Sequence, residues 1–107
     1  MPATLPKTEI LALEGEIDLH RSPEIKELLR PLIQRKAARI LLDLSAVSYM
    51  DSSGLAVVIE ALQSVLAYGG NFGLFGLQAS VRSIFEIARL DQVFAIFPDE
   101  ATALAGA

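Results

Sequence analysis

No cysteine occurs in the 107 residues, which removes disulfides, thiolate catalysis and the usual structural zinc sites together. Histidine is almost as scarce: His20 is the only one. It stands beside charged Arg21 in a loop, and no Gly-x-Ser-x-Gly elbow is present to pair it with a serine nucleophile. Asp18, His20 and Asp51 follow no metal-ligand spacing. No Gly-rich Walker loop with its lysine occurs, and Gly69-Gly70 reads as a helix stop rather than a phosphate cradle. A non-enzymatic protein with no metal and no cofactor is therefore expected.

Long apolar runs are missing as well. Apolar residues make up 52% of the chain, yet no stretch approaches the roughly 20 residues that a bilayer-spanning helix needs. The first residues, Met1-Pro2-Ala3-Thr4-Leu5-Pro6-Lys7, lack the basic start, apolar stretch and small-residue cleavage site of a secretory signal. A cytoplasmic protein without a membrane span is the expectation. Basic charge runs out half-way: residues 1–50 hold seven Lys or Arg against seven Asp or Glu, whereas residues 51–107 hold only Arg82 and Arg89 against six acids. That distribution argues against a nucleic-acid groove, which depends on clustered Lys and Arg, and favours a protein partner.

What is present suffices for one compact domain over residues 1–107. Thr8–Glu14 reads as a strand punctuated by Gly15. Ser22-Pro23-Glu24 carries the N-cap, first-turn proline and first-turn acid of a helix start. Ile25, Leu28, Leu29, Leu32 and Ile33 then form a one-sided apolar stripe, and one helix is expected here, with a kink or early end near Arg30 at Pro31 as the alternative. Arg39–Leu44 has the continuous apolarity of a strand covered on both faces, followed by a loop over 45–50. Asp51 opens a helix that runs to Tyr68 and stops at Gly69-Gly70-Asn71. Phe72–Leu77 and Val93–Phe97 read as further strands, Ser80 starts another helix, and Pro98-Asp99-Glu100 starts a last one, placed at an end of the sheet. Strands alternating with helices predict an α/β sandwich.

The segment Asp43–Leu62 carries the chemistry. Asp51 is placed as an N-cap accepting from the Ser53 or Gly54 amide, which puts Ser52 and Ser53 in the first helical turn, near solvent and at the positive end of the helix dipole. A phosphate would be tolerated there, but plain capping explains the same residues. With Leu55, Val58, Ile59 and Leu62 taken as the inward stripe, Ser53 projects further from the apolar face than Ser52 does. Ala56, Val57, Ala61, Val65 and Ala67 flank that stripe, so this helix is either deeply covered or offers an apolar docking surface.

Asp43-Leu44-Ser45, Val47, Tyr49 and Met50-Asp51-Ser52-Ser53-Gly54-Leu55 together resemble the signature of STAS-domain anti-sigma factor antagonists. Gly15-Glu16-Ile17-Asp18 matches the family's early turn, Gly69-Gly70 its loop, and Phe85-Glu86-Ile87-Ala88-Arg89-Leu90 its later helix, so the resemblance covers nearly the whole chain. It implies the STAS fold, a mixed four- or five-stranded sheet with helices packed mainly on one face. It implies a protein-binding switch in which the unphosphorylated form binds an anti-sigma factor serine kinase and releases a sigma factor. The phosphorylated residue matches Ser52, with Ser53 as second candidate, and a serine phosphatase resets the switch. Asp18, Asp51, Ser52, Ser53, Gly54 and Val57 are the partner-binding residues expected on this basis. STAS domains also serve in lipid-transport ATPase complexes and stress-sensing assemblies, and Asp51-Ser52-Ser53-Gly54 favours the sigma pathway among these.

Overall fold

A strand with neighbours on both sides and helices above and below buries both of its faces, which is why the run from Ile40 to Leu44 is continuously apolar. The computed structural model describes residues 8–106. Its strands are β1 (Thr8–Ile17), β2 (Arg39–Met50), β3 (Asn71–Phe75) and β4 (Ala95–Phe97). They form one sheet in the order β1-β2-β3-β4, and Ile40, Leu41, Leu42 and Leu44 of the inner strand β2 are fully buried. Four strands agree with expectation. Their pairings are all parallel among the described residues rather than mixed, because a helical crossover between successive strands returns the chain to the same end of the sheet.

Three helices, α1 (Ser22–Gln34), α2 (Ser52–Ala67) and α3 (Ala79–Ile87), lie on one face. Ile25, Leu29, Val58, Val65, Val81 and Phe85 join Leu42 and Leu74 of the sheet in the main core there. Phe94 closes it edge-on against Phe85, with ring centroids 5.6 Å apart. The short last helix, α4 (Glu100–Ala105), does not cap an end as expected. It covers the opposite face, where Ala103 meets Leu41 and Phe75, since the strand alternation sends Leu41 away from the main core. Arg39 holds α4 in place by donating to the carbonyl oxygens of Ala103 and Gly106.

Two sequence readings need adjusting. Gly15, at φ +76°, sits inside β1, which continues to Ile17; the register slips between Ala12 and Glu14 and again between Gly15 and Glu16, each time with an extra residue on β2, so the glycine lies opposite a bulged stretch of β2 and does not mark an end. Residues 45–50 are not a loop: β2 extends to Met50, pairing with the end of β1 and burying Val47 and Met50. As expected, the first helix runs as one unit through Pro31 to Gln34. Together the long β1 and β2 carry two chain turns, at Asp18 and Asp51, to the same end of the sheet.

Candidate functional site

Strand β2 ends at Met50 and α2 starts at Ser52, so Asp51 is the residue that converts extended backbone into helix. Its φ and ψ of −106° and −172° are extended, and its Oδ1 accepts from Ser53 N at 2.9 Å and Gly54 N at 3.1 Å. The expected cap is present and occupies two of the four amides that a helix start leaves unpaired. The Asp51 N–H donates to Ile17 O at 3.2 Å, tying the cap to the end of β1. Gly54 is where the two segments come closest. A Cβ at Gly54 would stand 2.8 Å from Ile17 O, 2.8 Å from Met50 Cγ and 2.9 Å from Ile17 Cγ2, so the motif glycine is required by contact with β1.

Asp18 shapes the neighbouring turn. Its Oδ1 accepts from His20 N at 3.0 Å and Arg21 N at 3.1 Å, while its carbonyl accepts from Arg21 N, Ser22 N and the Ser22 hydroxyl, the last at 2.8 Å. This is an Asx turn running directly into α1. Ser22 is accordingly not the N-cap expected: Arg21 takes that position, and the buried Ser22 hydroxyl points back to Asp18. Asp18 thus acts through the turn beside the start of α2, and His20 is exposed on it. Among the described residues no group of three or more His, Asp or Glu is gathered to hold a metal ion, and no helix is long and apolar enough to cross a membrane.

Ser52 is exposed and Ser53 is half-buried, the reverse of the order that periodicity predicts. The buried stripe of α2 is Gly54, Val57, Val58, Ala61, Leu62 and Val65, with Leu55 and Ile59 only partly covered. It is rotated toward α1, which lies over Val57 and Ala61, and Ser52 falls nearly opposite its centre. Neither the Ser52 hydroxyl nor its N–H has a hydrogen-bond partner among the described residues. The same rotation settles how far α2 is covered: Val57, Ala61 and Val65 are buried, leaving Ala56, Leu66 and Ala67 exposed.

Val57, expected to meet a partner, is only 6% exposed and forms the floor of two shallow depressions along the α1–α2 seam. One, of about 260 Å³, is walled by Leu19, Pro23 and Lys26; the other, of about 250 Å³, is walled by Leu29, Ile33 and Ala61. Lys26 Nζ and Glu60 Oε1 pair across the seam at 3.4 Å. Leu19, 68% exposed on the Asp18 turn, is a residue that sequence reasoning missed; a single apolar residue between Asp18 and His20 carries no periodic signal.

Comparison with known proteins decides the family, because the STAS domain model matches residues 3–103. The chain belongs to the STAS domain family. Its relatives include the anti-sigma-B factor antagonist of Listeria monocytogenes serovar 1/2a, 37% identical over 82 residues that make up 77% of this chain and 72% of that protein. The crystal structure of an anti-sigma factor antagonist from Mycobacterium paratuberculosis has the same fold, with a TM-score of 0.84 at 23% identity over 92% of this chain and 83% of that one. So does the phosphorylated form of the Bacillus cell fate determinant SpoIIAA, with a TM-score of 0.73 at 24% identity over 97% and 94%. In this STAS domain the Asp51 N–H donates to Ile17 O and so joins the turn at Asp51 to the end of β1 that leads into Asp18, and Ser52 stands at the rim of that junction. The family is regulatory and non-enzymatic.

Proposed function

We propose that this STAS domain is a cytoplasmic anti-sigma factor antagonist, a binding module that engages an anti-sigma factor serine kinase when unmodified and is released when Ser52 is phosphorylated. A serine phosphatase returns it to the binding state, and binding of the unmodified form frees a sigma factor. The observation that carries this reading is Ser52 itself: an exposed hydroxyl with no internal partner, in the first turn of a helix, opposite the buried stripe. A kinase can reach such a group without opening the fold. The relatives named anti-sigma-B factor antagonist supply the partner class.

Electrostatics favour release over unfolding. Phosphorylation adds about −1.5 to −2 charges directly after the Asp51 carboxylate. Because Asp51 already holds the Ser53 and Gly54 amides, only the Ser52 N–H is left to receive the phosphate within the turn. The helix dipole offsets some of the repulsion, typically by 0.3–1 kcal/mol. The phosphate otherwise stays in water, where it costs the domain little. A docked partner must bury it, and desolvating an unpaired charge costs far more than the dipole returns.

Titration of the anti-sigma factor kinase with three proteins tests this by calorimetry. Wild type and Ser52→Ala are expected to bind alike, and Ser52→Asp to bind at least tenfold more weakly while keeping the same melting temperature within a few degrees. Equal affinity for all three would refute the reading of Ser52 as the switch.

A further inference from the structure

We infer that Arg21 is a positioning residue for the phosphoacceptor turn: its guanidinium straps β1, where its ladder with β2 is bulged, to the start of α1 and so holds the Ile17–Ser22 turn against the first turn of α2. The inference rests on the proposed reading of Ser52 as the phosphoacceptor and adds the device that places it.

The bulged ladder is a weak point beside β1. Two register slips within Ala12–Glu16, each leaving an extra residue on β2, interrupt the pairing just before β1 delivers Ile17 and Asp18 to the site. Arg21 bridges the gap. Its Nη1 donates to the carbonyl oxygen of Glu14 and lies 3.5 Å from that of Glu16, so one planar group spans both sides of the second slip. Its Nε stands 3.5 Å from Glu24 Oε1 in the first turn of α1, which anchors the other end.

Gly15 makes room for this crossing. Its φ of +76° is the left-handed conformation that glycine adopts without strain, and a Cβ there would lie only 3.3 Å from Arg21 Nη1. Bulge, glycine and arginine therefore act as one unit. What the unit holds is the residue next in line: Ile17 O receives the Asp51 N–H, and the same oxygen is the atom that a side chain at Gly54 would strike. Any movement of the bulge passes directly to the cap of α2 and to the orientation of Ser52. Arg21 is 28% exposed by side chain and touches no atom of Ser52 among the described contacts, so its role is to place the acceptor rather than to take part in the transfer.

Arg21→Gln and Arg21→Lys in the full chain, followed by amide hydrogen exchange, separate this role from general stabilisation. In Arg21→Gln the Asp51 and His20 amides are expected to exchange roughly tenfold faster, the equivalent of one lost hydrogen bond to a charged group. Leu42 and Val58 amides in the core are expected to keep their wild-type protection, and Arg21→Lys, which retains one donor, to recover part of the loss. Uniform acceleration at all amides, or none at Asp51, would overturn the strap. A second measurement follows phosphorylation at Ser52 by the anti-sigma factor kinase: Arg21→Gln is expected to raise KM several-fold with kcat within about twofold. Wild-type kinetics in a variant whose Asp51 amide has loosened would overturn the positioning role. A wild-type protein that the kinase does not modify would instead sink the proposed function, and the exchange result would still decide whether Arg21 straps the turn.

Discussion

Replacing Gly54 with alanine tests the close approach of α2 to β1. At an ordinary helical position the change is favourable by about 0.5–1 kcal/mol, because alanine loses less backbone freedom on folding. Here the added methyl group would stand 2.8 Å from Ile17 O, 2.8 Å from Met50 Cγ and 2.9 Å from Ile17 Cγ2. Met50 is buried and a side-chain atom could turn aside, but Ile17 O is backbone and already accepts the Asp51 N–H at 3.2 Å. Overpacking of this kind costs about 1–3 kcal/mol, and stretching that hydrogen bond beyond its working range adds about 0.5–1.5 kcal/mol. Set against the gain in propensity, the net loss is about 0.5–4 kcal/mol. For a domain of this length that lowers Tm by roughly 2–16 °C. Urea melts followed by circular dichroism measure it directly, with a reduced midpoint and an unchanged slope expected. A Gly54→Ala protein as stable as wild type, or more so, would refute the argument that β1 and α2 meet as closely as described.

Two titrating groups away from the site give further expectations. The Tyr68 hydroxyl donates to Ala37 O at 2.7 Å, and burial raises its pKa above the ordinary 10.0; the neutral phenol is therefore the form that stabilises the fold, and its contribution is present below pH 10 and lost as pH rises through the folded value. Tyr68→Phe should cost about 0.5–1.5 kcal/mol and remove a phenolate absorbance step with a midpoint above 10, whereas a midpoint at or below 10 would contradict the assignment. Asp99 caps α4, and its hydrogen bonds from the Thr102 backbone and side chain lower its pKa below 3.8. Its carboxylate stabilises α4 above that ordinary value, and the contribution is lost as pH falls through the lower folded value. Exchange at the Ala103 amide should rise over that acid range in wild type and not in Asp99→Asn; identical acid profiles would refute the cap.

The parts of this structure that were legible in the sequence are those written locally. Asp51-Ser52-Ser53-Gly54 announces a cap because the donors are two and three residues from the acceptor, and Gly69-Gly70 announces the end of the same helix. The strand–helix alternation likewise specified α/β layers. What the sequence hid depends on partners distant in the chain. Ser45 and Ser48 look like loop residues, yet β2 continues through them because β1 lies alongside and pairs with Ala46, Val47, Tyr49 and Met50 between and beyond its register slips. The stripe of α2 was misplaced by about a quarter of a turn, since α1 and not α2 decides that Val57 and Ala61 are covered; with it went the relative exposure of Ser52 and Ser53. Arg21 looked like a loop charge because the carbonyls it bridges, those of Glu14 and Glu16, become adjacent only when the bulge forms.

Locating the phosphate is the most direct test of the switch. Purified protein incubated with the anti-sigma factor kinase and ATP, then digested and sequenced by tandem mass spectrometry, is expected to carry a single phosphate on Ser52, the exposed hydroxyl of the α2 first turn. A phosphate on Ser53, on any other residue, or on none would contradict the account.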